Sequence, residues 1–382
     1  MLNIVFDARS ITTRKSGIGN YAQALLEHMV PRAEDMRFLV LSHPDVREPL
    51  LEHERVRQLP FPGETKSLRT VFQLGWRNAG FRGHDLYHSP ADLVPLGLRC
   101  PSVVTLHDLM WIEAPELASA FLPVRLANGL WYRLNFRHSV GGASAIIAIS
   151  QATADAIGRV YPADAHKTHV IHHGADLDRC HDKASGPRSL LDRWLSLGDR
   201  YSLIVGQGSP YKNHLRMVRA FIDATRDAPD HKLLLVRRFV RVDRAMTKLL
   251  ARPDVRAKVV AIPYASDDEL IALYRHARML LFASLYEGFG LPVLEAMALG
   301  TPVLGSTAPA VREITGDGAL HAIADDHDDL VRKMAVLDSD EDLRRDLIAA
   351  GRARAQTFSW SRCADATLAV YRDVIRATTS AR

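Results

Sequence analysis

The sequence predicts an α/β protein built as two doubly wound parallel sheets, and three observations carry that reading. Short apolar runs alternate with helix-period segments along the chain, the signature of strand–helix–strand units. A length of 382 residues suits two domains better than one. Each half also opens on an apolar strand that runs into a Gly-containing loop and then a helix: Asn3 to Ala8 before RSITTRKSGIGN, and Tyr201 to Val205 before GQGSPYKNH. In such sheets ligands collect beyond the carboxyl ends of the strands.

Composition narrows the class. With 47% apolar residues, two cores can be buried, and no run approaches the roughly 18–20 apolar residues that span a bilayer. The start, MLNIVFDARS, is charged too soon for a signal peptide and reads as a first strand. Cys100, Cys180 and Cys363 are widely spaced and form no CxxC, which points to a reduced, cytoplasmic protein without a cysteine metal site. A formal charge of +5 permits anionic substrates or a membrane surface and does not by itself argue for nucleic acid.

In the first half, Asn3 to Ala8 leads through the Gly17 and Gly19 loop to a helix from about Tyr21 to Val30. Further strands are legible at Arg37 to Leu41, Asp85 to His88 and Ser102 to Leu106. The last of these ends in THDL, so His107 and Asp108 stand where chemistry is expected; HSP at His88 to Pro90 is a weaker candidate. Pro123 suits a helix start, with Arg125, Arg133 and Arg137 near one face and Leu126, Leu130, Trp131 and Leu134 available for burial. This segment, 121–138, and an earlier one, 66–83, are basic, aromatic and free of acids. Both suit peripheral contact with anionic lipid; the alternative is an apolar core with a solvated basic face. Ala145 to Ile149 is a buried strand, Ser150 an N-cap, and His169 to His172 continues the sheet. His172 and His173, adjacent in an extended run, point to opposite faces and cannot easily share a metal.

In the second half, a helix from about Leu215 to Ala224 follows Lys212, which adds charge where a helix N-terminus already points. Lys232 to Val236 and Val259 to Ile262 are strands, and Ser266 with Glu269 forms a capping-box pattern. Met279 to Ala283 is a buried strand that runs into SLYEGFGLPVLEAMALGTPVLGS, Ser284 to Ser306. Gly288 and Gly290 bare the backbone around Phe289. Pro292 suits the first turn of a short helix and Gly300 its cap, so the amides near Leu291 face the strand's carboxyl end, where an anion fits. Glu287 and Glu295 flank that N-terminus; beside an anion they are better suited to accept hydrogen bonds from neutral hydroxyls, such as those of a sugar. A strand at Pro302 to Gly305 and helices from about Asp328 complete the chain.

Glu287 and Glu295 with seven residues between them, EGFGLP, and a TPV strand after resemble the donor site of retaining glycosyltransferases of the GT-B fold, in the family that includes sucrose synthases and bacterial mannosyltransferases. The resemblance implies two Rossmann-like domains facing a cleft: 1–182 for the acceptor, a 183–200 linker, 201–360 for the nucleotide-sugar donor, and a 361–382 helix crossing back. It further implies that Gly17 and Gly19 lie against the donor phosphates and that His107 sits near the transferred sugar. Lys212 would grip the pyrophosphate, Glu287 the sugar hydroxyls and Glu295 the ribose, while the loop holding Tyr264 would touch the nucleobase. The chain departs from the family pattern at Gln207 and Tyr211, where a second basic residue is common, and at Arg237 and Arg238, where a Gly–Lys pair is common. The arginine pair is a candidate for the missing positive charge.

The reading that follows is transfer of a hexose, first of all mannose from GDP-mannose though a UDP-hexose is also open, to a hydroxyl of a glycan or lipid-linked oligosaccharide, with no metal and no cofactor. A GT-B sugar-nucleotide epimerase or hydrolase would share the donor pocket. A nicotinamide dehydrogenase would need a GxGxxG after the first strand, which ARSITTRKSGIGN lacks. A basic module binding lipid or nucleic acid rests on charge alone.

Overall fold

The computed structural model describes residues 1–12, 16–77, 81–119, 121–175, 186–196, 200–238 and 243–380. The chain divides into two compact units: Met1–Ala114 with Pro123–Gly174 and Phe358–Arg382, and Pro115–Leu122 with Ala175–Thr357. These edges differ from 1–182 and 361–382 because Pro115–Leu122 packs with the second unit and the residues just before the last helix pack with the first. Within the expected 183–200 linker, Arg188–Leu191 forms a 3-10 turn whose Leu191 is buried, so part of that stretch is folded rather than extended.

In the first unit a seven-stranded sheet has the order β3-β2-β1-β4-β5-β6-β7. Its strands are β1 (Leu2–Asp7), β2 (Met36–Ser42), β3 (Val56–Pro60), β4 (Leu86–Ser89), β5 (Ser102–Leu106), β6 (Ala145–Ala148) and β7 (Thr168–Val170). Every pairing is parallel. A parallel sheet is covered on both faces, so its central strands are continuous apolar runs; Ile4, Val5 and Phe6 of β1 are fully buried. Strand order reverses between β1 and β4, and the carboxyl ends of β4 and β5 carry His88 and His107. β3 escaped the sequence reading because it is an edge strand, half-exposed along its length.

The last helix, Trp360–Ser380, completes this unit. It packs on the Gly17–Arg32 helix, its Arg372 pairs with Asp35 at 2.8 Å, and Tyr371 Oη lies 2.5 Å from Nδ1 of His88. Gly174 admits the start of that helix: a Cβ there would sit 2.1 Å from the Trp360 amide nitrogen.

The second unit holds a six-stranded parallel sheet ordered β10-β9-β8-β11-β12-β13. These are β8 (Arg200–Gln207), β9 (His231–Arg238), β10 (Val259–Ile262), β11 (Met279–Phe282), β12 (Val303–Ser306) and β13 (Leu320–Ala322). The reversal here falls between β8 and β11. The core on one side of the sheet joins Ile204, Leu233, Leu235, Leu281 and Leu304 to Met217, Val218 and Phe221 of the His214–Ala224 helix. The expected capping box is present: Ser266 accepts from the Glu269 amide, and Glu269 accepts from the Ser266 amide at 2.7 Å.

Under the end of β1, Arg9 is wholly buried and bonds Asp7 through Nη2 at 2.6 Å and Nε at 2.8 Å; the Tyr87 hydroxyl donates to the same carboxylate at 2.7 Å. A charge stranded in a core costs far more than the pair contributes. Arg9→Met, which leaves Asp7 buried without its cation, is expected to lower unfolding stability by about 3–5 kcal/mol in urea titration. A loss under about 1 kcal/mol would show that water reaches the carboxylate.

Candidate functional site

The second unit carries the candidates from Gln207 to Glu295. β8 ends at Gln207, which is exposed, and the chain turns through Pro210–Lys212 into the His214–Ala224 helix. Asn213 makes that turn: it adopts left-handed backbone (φ 57°), and its side-chain amide donates to the carbonyls of Ala283 at 3.1 Å and Ala324 at 2.6 Å. The Leu285 amide also donates to the Tyr211 carbonyl at 2.7 Å. Together these bonds tie the loop after β8 to the loop after β11, at the point where strand order reverses.

The consequence is an ion pair. Lys212 Nζ lies 2.7 Å from Glu287 Oε1, with the side chains only 13% and 8% exposed, and the ammonium sits 5.2 Å from the Phe282 ring centroid and 5.1 Å from that of Tyr211. Immediately beyond, the Leu291–Leu299 helix starts, with Phe289 buried against the core and Gly290 at φ 111°. That angle is open to glycine and strained for any side chain. The amides of Val293 and Leu294 return to the Gly290 carbonyl, and Pro292 has none. That leaves the Gly290 and Leu291 amides at the helix start, where the backbone geometry suits an anion.

Arg237 and Arg238 are the last two residues of β9, not loop residues after it. Arg237 is 2% exposed, pairs with Asp243 at 2.7 Å, and packs so close to the loop after β8 that a Cβ on Gly208 would fall 2.2 Å from its Nε. Burial, then the charges of Arg237 and Lys212, hold the His214 imidazole down at about 3, so it stays neutral in a positively charged corner. The Arg238 side chain lies outside the described residues. Tyr264 is 73% exposed on the stretch after β10.

Glu295 sits one turn into the Leu291–Leu299 helix and is mostly buried. Burial pushes its carboxyl up to about 7, against a hydrogen bond from Tyr274 that favours the ionised form. An ionised Glu295 is thus costly until hydroxyl donors reach it, a trait suited to a carboxylate that receives diol hydrogen bonds.

In the first unit His107 follows β5. Its Nε2 lies 2.8 Å from the Pro90 carbonyl, which can only accept, so Nε2 carries the proton and Nδ1 keeps its lone pair in the neutral ring. Its amide donates to Asp92 Oδ1 at 2.8 Å, and Asp92 Oδ2 takes Lys66 Nζ at 2.6 Å. Burial works against the Asp92 carboxylate, yet Lys66 and the His107 amide hold it below its ordinary range. The rings of Tyr21 and His173 stand 5.2 and 5.7 Å from His107. Asp108 accepts from the Met110 amide at 3.0 Å, and burial followed by the Asp92 charge pushes its carboxyl up. His173 stacks on Tyr21 while His172 meets Phe358, so the two histidines do face apart.

Three expectations need correction. Gly17 and Gly19 lie inside the first turn of the Gly17–Arg32 helix, capped by Ser16, rather than in a loop before it. A Cβ on Gly19 would fall 2.7 Å from the Ser10 carbonyl, so that glycine serves a backbone crossing within the protein, whereas Gly17 is exposed with open space around it. Lys66 of the 66–83 segment turns inward to Asp92, and Val71, Leu74 and Phe81 are core; of that segment's described large apolar side chains only Phe72 is exposed. In 121–138, by contrast, Leu126, Leu130 and Leu134 are exposed, not buried. Sequence reasoning missed Asn213, Asp92 and Lys66. A readable signal existed only for Asn213, an αL-tolerant residue directly before a helix.

Residues 15–179 match the family model Glycosyltransferase Family 4, and residues 193–354 match Glycosyl transferases group 1. The chain belongs to this glycosyltransferase family. It is 26% identical to O-antigen chain mannosyltransferase B of Escherichia coli over 97% of this chain and 100% of the relative. It is 33% identical to the MMP alpha-(1->4)-mannosyltransferase of Mycolicibacterium hassiacum over 60% of this chain and 54% of the relative, so that match spans about half of that protein. In structure, this glycosyltransferase is similar to Anabaena Alr3699/HepE in complex with UDP-glucose, with TM-score 0.74, 19% identity and full coverage of both chains. The fold is GT-B, with parallel sheets of seven and six strands. Among the described residues no group of three or more His, Cys, Asp or Glu is placed to hold a metal ion.

Glu295 yields a test by pH. An acid whose folded pKa is raised favours the folded state below the unfolded value near 4.5, and that contribution is lost as pH rises through about 7. Glu295→Gln is therefore expected to match the parent in thermal unfolding near pH 4.5 and to exceed it by about 1–3 kcal/mol at pH 8. Equal stability at pH 8 would mean that the carboxyl is well hydrated.

Proposed function

We propose that this glycosyltransferase moves a hexose, with retention at the anomeric carbon and without a divalent cation, from a nucleoside-diphosphate sugar to a hydroxyl of a glycan or lipid-linked oligosaccharide in the cytoplasm. The observation that carries the reading is the Lys212–Glu287 pair at the start of the Leu291–Leu299 helix. As the anomeric C–O bond breaks, its electron pair passes to the departing diphosphate. Lys212 and the amides upstream of Pro292 stabilise that charge, with Arg237 as the second cation. Donor binding exchanges partners: phosphate takes Lys212, and Glu287, released from it, accepts the sugar hydroxyls. Glu295 takes the ribose diol, and the Tyr264 loop meets the base.

His107 of the first unit is assigned to the transferred sugar or the departing oxygen through Nδ1, the nitrogen that Pro90 leaves open. In the neutral ring Nδ1 accepts from a sugar hydroxyl, and on protonation it donates. Asp92 and Lys66 position that ring through its backbone.

GDP-mannose is the first donor, in line with the two mannosyltransferase relatives. The second reading is a UDP-hexose, which the UDP-glucose complex of the structural neighbour favours. Thermal unfolding with a panel of nucleotide sugars decides between them, since a ligand saturating at a hundredfold its Kd raises folded stability by about 2.7 kcal/mol. GDP-mannose is expected to stabilise, with UDP-glucose near neutral; the reverse order installs the second reading, and no response to any nucleotide sugar overturns both.

Lys212→Met and Glu287→Gln are each expected to lower kcat by about 10²–10³. The double variant should lose much less than the product of the two, because the residues act as one unit. Activity within twofold of the parent in a folded double variant would remove the pair from the reaction. Product anomeric configuration by NMR tests retention, and turnover in excess chelator tests metal independence.

A further inference from the structure

The Leu122–Gly142 helix carries a face that its own unit leaves uncovered. Its inner side buries Asn135, Phe136, Ser139 and Val140, and Tyr132 turns in to stack on Trp111 at a ring distance of 5.5 Å. On the outer side Leu126, Leu130 and Leu134 are 65%, 61% and 62% exposed, at the i, i+4, i+8 spacing of a single stripe that Leu122 extends by one turn. Arg133 and Arg137, both exposed, fall within the same arc of about 120° at 3.6 residues per turn. Leucines kept in water in a contiguous row mark a contact surface.

We propose that this face docks on an anionic lipid bilayer. Charge decides the occupant: from Leu117 to Ala154 the sequence has no acidic residue, so the helix that bears the stripe brings arginines and no carboxylate of its own to anionic headgroups. Leucines flanked by arginines suit a helix lying in the plane of the interface, with the alkyl groups among acyl chains and the guanidinium groups at the phosphates. No described helix is long and apolar enough to cross a membrane, so the contact is peripheral. The inference uses neither Lys212 nor Glu287 and goes beyond the function proposed above.

The test is flotation of the full chain with vesicles of phosphatidylcholine alone and of phosphatidylcholine mixed with phosphatidylglycerol, at low and high salt. The parent is expected to float with the mixed vesicles, less so at high salt, and not with phosphatidylcholine alone. L126S/L130S/L134S and, separately, R133E/R137E should each weaken binding to mixed vesicles by more than about tenfold. Both variants should keep the parent's thermal response to nucleotide sugars, which shows that they fold and separates this inference from the donor-site reading. It is overturned if the parent does not float, if it binds both vesicle types equally, or if either variant floats as the parent does. A parent dimer that the leucine substitutions dissociate, without vesicle binding, makes a second copy of the chain the occupant instead.

Discussion

A buried ammonium and a buried carboxylate must each have a partner, and the second unit is arranged so that Lys212 and Glu287 supply one another. Their meeting depends on backbone placed elsewhere. Asn213 reaches the carbonyl ends of two other strand exits, Leu285 bonds Tyr211, and the left-handed turn at Gly290 brings the next helix's start alongside. A diphosphate sugar offers replacements for both sides of the pair at once, anionic oxygens for the lysine and hydroxyls for the glutamate. Because the fold already holds both groups out of water, the desolvation cost of such a site is met before any ligand arrives.

The first unit uses the same rule at its own strand ends. Arg9 satisfies Asp7 beneath β1, and Lys66 satisfies Asp92 beside β5, where the opposite oxygen of Asp92 fixes the backbone of His107. His88 is neutral for another reason: burial holds it down at about 3, between Thr105 and Tyr371. Thus His88 of HSP is a structural ring that ties the last helix to the sheet, while His107 keeps one nitrogen unspent. Two strand-end histidines with similar sequence settings are bonded differently because their neighbours differ.

Glycine placement follows close approach more often than ligand contact. Gly19 accommodates Ser10, and Gly208 makes room for the Arg237 guanidinium, whereas Gly290 alone of these needs a backbone angle closed to other residues. A second basic group near His214, besides Lys212, consequently arrives from the end of β9 as a packed, Asp243-paired side chain.

What the sequence determined by itself was local and periodic. The central strands declared themselves as short apolar runs. Ser150, Ser266 and Gly300 announced helix ends by side-chain chemistry, and the Glu287 to Glu295 stretch announced a helix start with carboxylates around it. The edge strands β3 and β13 stayed hidden, since a strand that is half-exposed or three residues long carries no clear period. Tertiary structure decided every property that depends on residues far apart in the chain: the partner of Lys212 lies 75 positions away, and that of Lys66 lies 26 away. It also decided that the leucines of the Leu122–Gly142 helix face water while Phe136 and Val140 are core, because periodicity assigns residues to a face but only the packing of neighbouring elements says which face is covered.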